Sequence, residues 1–186
     1  MQINSIITIL VVIIIIIIVL YNDLIDKKNQ AEKAFSTIDV LLKKRCDLIP
    51  NLVAVVKNYA KFEQQTLTEI ANLRSRVVSG RATGGTRVEL ENQISRSIGN
   101  ILVAVEAYPD LQANQNFIQL QETLLEVEEQ ISAARRFYNT AVTDYNNAIE
   151  MFPTNLIAAM MKYRLKRLFE TNPIDRRNVD VKNLFN

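Results

Sequence analysis

The side chains able to do chemistry in this chain are few, and most lack the partner their chemistry needs. Cys46 is the only cysteine, and there is no histidine. A thiol nucleophile therefore has no imidazole to activate it, and a zinc site loses its commonest ligands. Glu126, Glu128 and Glu129 crowd one helix, where they read as a solvated face rather than as paired catalytic carboxylates. The glycines at 84 and 85 lie in ATGGT, which lacks the lysine of a phosphate-binding loop and follows no strand. No catalytic residue, metal site or cofactor site is expected.

What remains are polar side chains set among apolar ones. Glu63 falls on an apolar stripe, and a buried carboxylate without a partner costs several kcal/mol or changes its protonation. The expected partner is Arg45 or Arg135, both at or beside helix seams; the alternative is that Glu63 reaches water at a bundle edge. Asn51, Asn139 and Asn146 stand beside proline or aromatic residues. Asn139 and Asn146 are seven apart and share a helix face, where they are expected to cap carbonyls freed by a break at Pro50; a polar ligand patch is the alternative. Lys162, Arg164, Lys166 and Arg167 interleave with Leu156, Ile157, Met160, Met161, Leu165, Leu168 and Phe169. That basic amphipathic pattern suits either an anionic lipid surface or a bundle helix with its basic side in water.

The elements that must position these residues are helices, because apolar residues recur at three and four rather than at two. Only four glycines and four prolines occur, and they fall at the breaks. Leu24, Ala31, Phe35, Ile38 and Leu42 form a first stripe, interrupted by Lys28. In RCDLIPNL, Pro50 is expected to kink or restart the helix, with Asp47 capping its successor. That successor carries Ile49, Leu52, Val56, Tyr59, Glu63, Thr66, Ile70, Leu73 and Val77, and ends near Ser79-Gly80. Thr86 and Glu89 read as a capping box for a third helix with Ile94, Ile98, Ile101 and Val105. Tyr108-Pro109-Asp110 closes it, and Asp110 is placed to cap the next. A fourth helix has an unbroken seam of Phe117, Leu120, Leu124, Val127, Ile131, Ala134, Tyr138, Ala141, Tyr145, Ala148 and Phe152, about 55 Å long. Pro153 stops it, and residues 155–170 read as a shorter basic helix. Narrow stripes joined by short loops predict an all-α antiparallel bundle of the four-helix type with coiled-coil-like seams.

Ahead of the bundle, residues 6–20 read IITILVVIIIIIIVL, and no charge precedes Asp23. A charge-free stretch of 22 residues makes a helix near the thickness of a bilayer's hydrocarbon layer. No Lys or Arg precedes it and no small-residue cleavage site follows, so it reads as an uncleaved single-pass anchor rather than a signal peptide. Tyr21 suits the interface. The six basic residues in 23–45 place the bundle in the cytoplasm and the N-terminus outside. The expected organisation is an anchor over 1–22, a helical bundle over 23–171 and a loosely attached tail over 172–186.

Several blocks also carry a family resemblance. Arg45-Cys46-Asp47-Leu48-Ile49-Pro50-Asn51-Leu52-Val53 resembles the R-x-D-L-I-P-N-L-V signature of the LemA family. Tyr108-Pro109-Asp110-Leu111-Gln112-Ala113-Asn114, with Phe117 and Leu120-Gln121, is similar to its second block. Ala133-Ala134-Arg135-Arg136-Phe137-Tyr138-Asn139, then Tyr145-Asn146 and Phe152-Pro153, resembles the third. The family's aromatic-glycine pair near the end is replaced by Tyr163-Arg164-Leu165. The resemblance implies a membrane-anchored helical bundle of a bacterial inner membrane, without an established catalytic activity and with links to membrane organisation or remodelling.

The expected function is that of a non-enzymatic membrane scaffold that self-associates or presents a helical surface to a membrane-protein partner. The alternatives are an accessory subunit of a membrane enzyme and a peripheral binder of anionic lipid. A net charge of +2 does not suggest nucleic acid.

Overall fold

The computed structural model describes residues 2–59, 64–79 and 84–169. Helices are the only regular elements among them: α1 (Gln2–Tyr59), α2 (Gln64–Val78), α3 (Gly84–Val105), α4 (Pro109–Gln112), α5 (Gln115–Glu150) and α6 (Thr154–Met160). Packing divides the chain into two units, one of residues 35–134 and one of 1–34 with 135–186; α1 and α5 contribute to both.

In the unit of residues 35–134, the predicted stripes form one core. It joins Cys46, Ile49, Leu52 and Val56 of α1 to Leu67, Ile70 and Leu73 of α2. Leu90, Ile94, Ile98, Ile101 and Val105 come from α3, and Phe117, Leu120 and Leu124 from α5. Leu111 of the short α4 is fully buried and closes one end. The Asp39–Arg87 and Arg45–Glu91 pairs set α1 and α3 side by side in the same direction, while α2 runs against them.

Pro50 does not restart the helix. It lies inside α1, which runs on to Tyr59, so the predicted restart at Pro50 does not occur. Proline cannot donate to the carbonyl of Cys46, but the Nε of Arg74 on α2 does, at 2.9 Å. With that acceptor satisfied, and Ile49 and Leu52 buried on either side, helix continues through the proline. Asp47 therefore caps nothing; it accepts from Lys43 one turn back, at 2.7 Å. Thr86 likewise lies inside α3 rather than at its cap, and Glu89 pairs with Arg96 at 3.0 Å. The start of α5 is capped by Asn114, whose Oδ1 accepts from the Phe117 N–H at 3.0 Å, and not by Asp110.

The unit of residues 1–34 with 135–186 has a smaller core of Leu24, Tyr145, Ala148, Ile149 and Ala158. Ala34, not Phe35, continues the first stripe; Phe35 is 46% exposed. The seam of α5 fails only at its last member. Phe152 is 79% exposed, because α5 ends at Glu150 and the residue before proline is pushed out of helical geometry. The Thr154 hydroxyl takes up carbonyls at the end of α5, including that of Met151 at 2.9 Å.

The expected basic helix over 155–170 is replaced by one short helix and an extended strap. At the end of α6, Lys162 takes a left-handed conformation (φ 55°), and Tyr163 N–H donates to Ala158 O at 3.0 Å. This is a helix-terminating arrangement that turns the chain out of α6. Residues 163–169 then run without helix beside α5. The anticipated tail over 172–186 lies outside the described residues.

Candidate functional site

The buried polar centre of the 35–134 unit is Arg45. The sequence brings it there because position 45 falls on the same phase as Ile38, Leu42, Ile49 and Leu52, so the helix that buries them buries the guanidinium too. It is completely covered, and Glu91 on α3 is 1% exposed. The guanidinium donates to the Glu91 carboxylate, to the Glu91 carbonyl at 3.1 Å and to Glu128 at 2.9 Å. Ser95 accepts from Arg45 and donates to the second Glu128 oxygen at 2.8 Å. Glu128, 42% exposed at its side chain, carries the network to the surface. Arg45 Nε and Glu91 Oε1 are buried without a hydrogen-bond partner.

Glu63 lies outside the described residues, while Arg45 is held by Glu91 and Glu128. The spacing of Glu128 predicts a solvated face, and the residue type of Glu91 does not single it out. The available signal was its position: Glu91 lies between Leu90 and Ile94 on the buried side of α3.

Next to Arg45, the Cys46 thiol is pushed up to about 11, mainly by burial and secondarily by Glu91, with Arg45 opposing. A thiol so protonated is not a nucleophile. Among the described residues, no cluster of His, Cys, Asp or Glu could hold a metal ion. A polar surface groove beside α2 and α3 is lined by Gln65, Thr68, Glu69, Asn72, Arg76 and Gln93, and by the apolar Leu73.

The second constellation, on α5, is a Tyr-Asn dipeptide repeated seven residues apart. Asn146 Nδ2 donates to Lys166 O at 2.9 Å while its Oδ1 accepts from Lys166 N–H at 2.9 Å. Asn139 treats Phe169 the same way, at 3.0 and 2.8 Å. Tyr145 and Tyr138 donate to the carbonyls of Arg164 and Arg167 at 3.2 and 3.1 Å. Seven helical residues advance about 10.5 Å, and three extended residues advance about 10 Å. Successive Tyr-Asn pairs therefore meet strap residues three apart in equivalent positions. Burial raises both tyrosines above their ordinary range.

Asn139 and Asn146 thus satisfy the strap, not carbonyls freed at Pro50. Arg135 packs its guanidinium 5.7 Å from the Phe169 ring. Lys166 pairs with Glu32 at 3.3 Å and, like Lys162, Arg164 and Arg167, stands on no helix. Pro109 opens α4, Tyr108 packs partly buried on the core, Asn51 is exposed, and Pro153 precedes α6.

The comparisons with known proteins agree with these motifs. The chain is 30% identical to Protein LemA of Metamycoplasma hominis, over 89% of this chain and 75% of the relative. It is 22% identical to Magnetosome protein MamQ 2 of Paramagnetospirillum magneticum, and 21% to Magnetosome protein MamQ of Magnetospirillum gryphiswaldense. Both alignments cover 82% of this chain and 65% of the relative. Residues 34–183, which carry the Arg45 network and the Tyr-Asn repeat, match the LemA family, and the chain belongs to that family.

Proposed function

We propose that this protein is a membrane-anchored, non-enzymatic helical scaffold, with its bundle in the cytoplasm and its N-terminus outside. In this reading it self-associates or presents a helical surface to a membrane-protein partner, and nucleic acid is not a partner. The observation that carries the proposal is the uncovered start of α1. This helix is long and apolar enough to cross a membrane, with a mean hydropathy of 3.0 in its best stretch and none of that stretch covered by protein. Such a surface needs lipid around it, and a helix is the form in which lipid leaves no backbone group unsatisfied. α1 continues without a break from its apolar start into packed residues from Leu24 onward.

The polar interior supports architecture rather than reaction chemistry, since the Arg45 guanidinium is occupied by Glu91, Ser95 and Glu128. The relatives named as magnetosome proteins fit a role in membrane organisation or remodelling. The full chain is expected to stay in the membrane pellet under alkaline carbonate and to size as a defined oligomer in mild detergent. Release by carbonate would overturn the anchor, and a uniformly monomeric protein would overturn self-association.

A further inference from the structure

Helix α6 is built inside out. Its buried positions, Thr154 and Ala158, are small, while Leu156 and Met160 on the other side are 59% and 84% exposed. The turn leading into it exposes Met151 and Phe152 at 63% and 79%. A short helix seated on water would carry polar groups there; this one puts four large apolar side chains outward, flanked by Lys162 and Arg164.

The position of this patch along α1 identifies what covers it. Leu24 packs with Tyr145, Ala148, Ile149 and Ala158; further along α1, Lys28 lies 5.5 Å over the Tyr163 ring and Glu32 pairs with Lys166. α5 therefore runs back toward the anchor, α6 turns at its level, and the strap leads away from it. Leu24 is two residues, about 3 Å of helix, beyond the end of the charge-free segment at Asn22. The headgroup layer is about 5–7 Å thick on each side of a bilayer. The α5–α6 turn is thus at headgroup depth, where apolar side chains on a partly buried helix enter the acyl boundary.

We infer that Met151, Phe152, Leu156 and Met160 form a second, interfacial membrane contact, in which the α5–α6 turn dips into the leaflet beside the anchor. The inference rests on the anchor reading above. It replaces the basic residues of the strap as the main lipid-contacting set, since Lys166 and Arg167 lie on the segment that leads away.

The chain contains no tryptophan, so a single substitution reports one site. The full chain carrying Phe152→Trp, or separately Met160→Trp, would be reconstituted in phosphatidylcholine–phosphatidylglycerol vesicles. Its emission is expected to be blue-shifted and quenched by lipids brominated high on the acyl chain. Phe137→Trp, 60% exposed and about 22 Å back along α5, is expected to emit as in water and to stay unquenched. Ile14→Trp tests the anchor alone, and is expected to be quenched most by lipids brominated near the chain end. Quenching at Ile14→Trp without quenching at Phe152→Trp and Met160→Trp overturns the interfacial contact and spares the anchor. A blue shift at Phe152→Trp without lipid quenching means that a second copy covers the patch, and also overturns it. An unquenched Ile14→Trp overturns the anchor itself.

Discussion

Replacing Arg45 by methionine is expected to destabilise the unit of residues 35–134 by about 3–5 kcal/mol. The reason is what stays behind. Glu91 is 1% exposed, so without the guanidinium its carboxylate is a buried charge with no counter-ion, and the Ser95 hydroxyl and Glu91 carbonyl lose a donor as well. Glu128 is different, because its side chain is 42% exposed and can turn to water. Glu128→Gln is therefore expected to cost about 1 kcal/mol or less. For a unit of this size, about 4 °C of melting temperature accompanies each kcal/mol, giving a loss of about 12–20 °C for Arg45→Met. Removing both charges together, as Arg45→Met with Glu91→Leu, is expected to recover most of the loss. A buried ion pair exchanged for apolar groups of similar volume is often neutral or better. The assay is denaturant unfolding of the full chain in mild detergent, followed by helical circular dichroism, with thermal melts alongside. The reasoning is refuted if Arg45→Met costs less than about 1 kcal/mol, or if the double variant is no more stable than the single one.

Asn146→Ala removes two hydrogen bonds to Lys166, each contributing about 1 kcal/mol. Amide exchange at Lys166 should quicken by roughly 30-fold by the standard conversion of 1.4 kcal/mol per decade, while Phe169, held by Asn139, changes less; equal effects at both would contradict separate clamps. Arg74→Gln should cost about 1–2 kcal/mol by leaving the Cys46 carbonyl unsatisfied. In a Pro50→Ala background, where the backbone N–H returns, the same change should cost less, and a double-mutant cycle without coupling would argue against this compensation. Cys46 should resist thiol reagents at pH 8 unless the bundle unfolds, and labelling as fast as in denaturant would count against its burial. Its folded-state value is raised, so the protonated thiol stabilises the fold fully below the unfolded value near 9. That contribution is lost as pH rises from about 9 toward about 11, which unfolding between pH 8 and 11 would show against a Cys46→Ala control.

The stripes of α3 and α5 were legible because burial of one helix face needs nothing beyond a repeat of three and four. Every predicted stripe residue of α3 is buried, and the α5 seam holds from Phe117 to Ala148 with Ala134 only half-buried. The errors gather where a distant side chain replaces a local rule. Pro50 reads as a break, yet Arg74, 24 residues away in sequence, accepts the role of the missing N–H. The tail of basic and apolar residues reads as a helix, yet Asn139 and Asn146 offer an extended backbone better-satisfied partners. For the candidate site, Arg45 was visible as a misplaced charge, but its partner was not. Glu91 looks like any surface glutamate until α3 is set beside α1.

The amino-acid order alone determined the helical class, the apolar first segment, the phase of each stripe and the family-specific blocks, since these depend on spacing along one helix or on residue type. Tertiary structure decided that α1 runs through Pro50, which carboxylates hold Arg45, what the paired asparagines grip and which side of α6 faces out. Those outcomes depend on which buried donor meets which acceptor across the fold. A buried polar group must find a partner somewhere, but the chain does not state locally where that partner is.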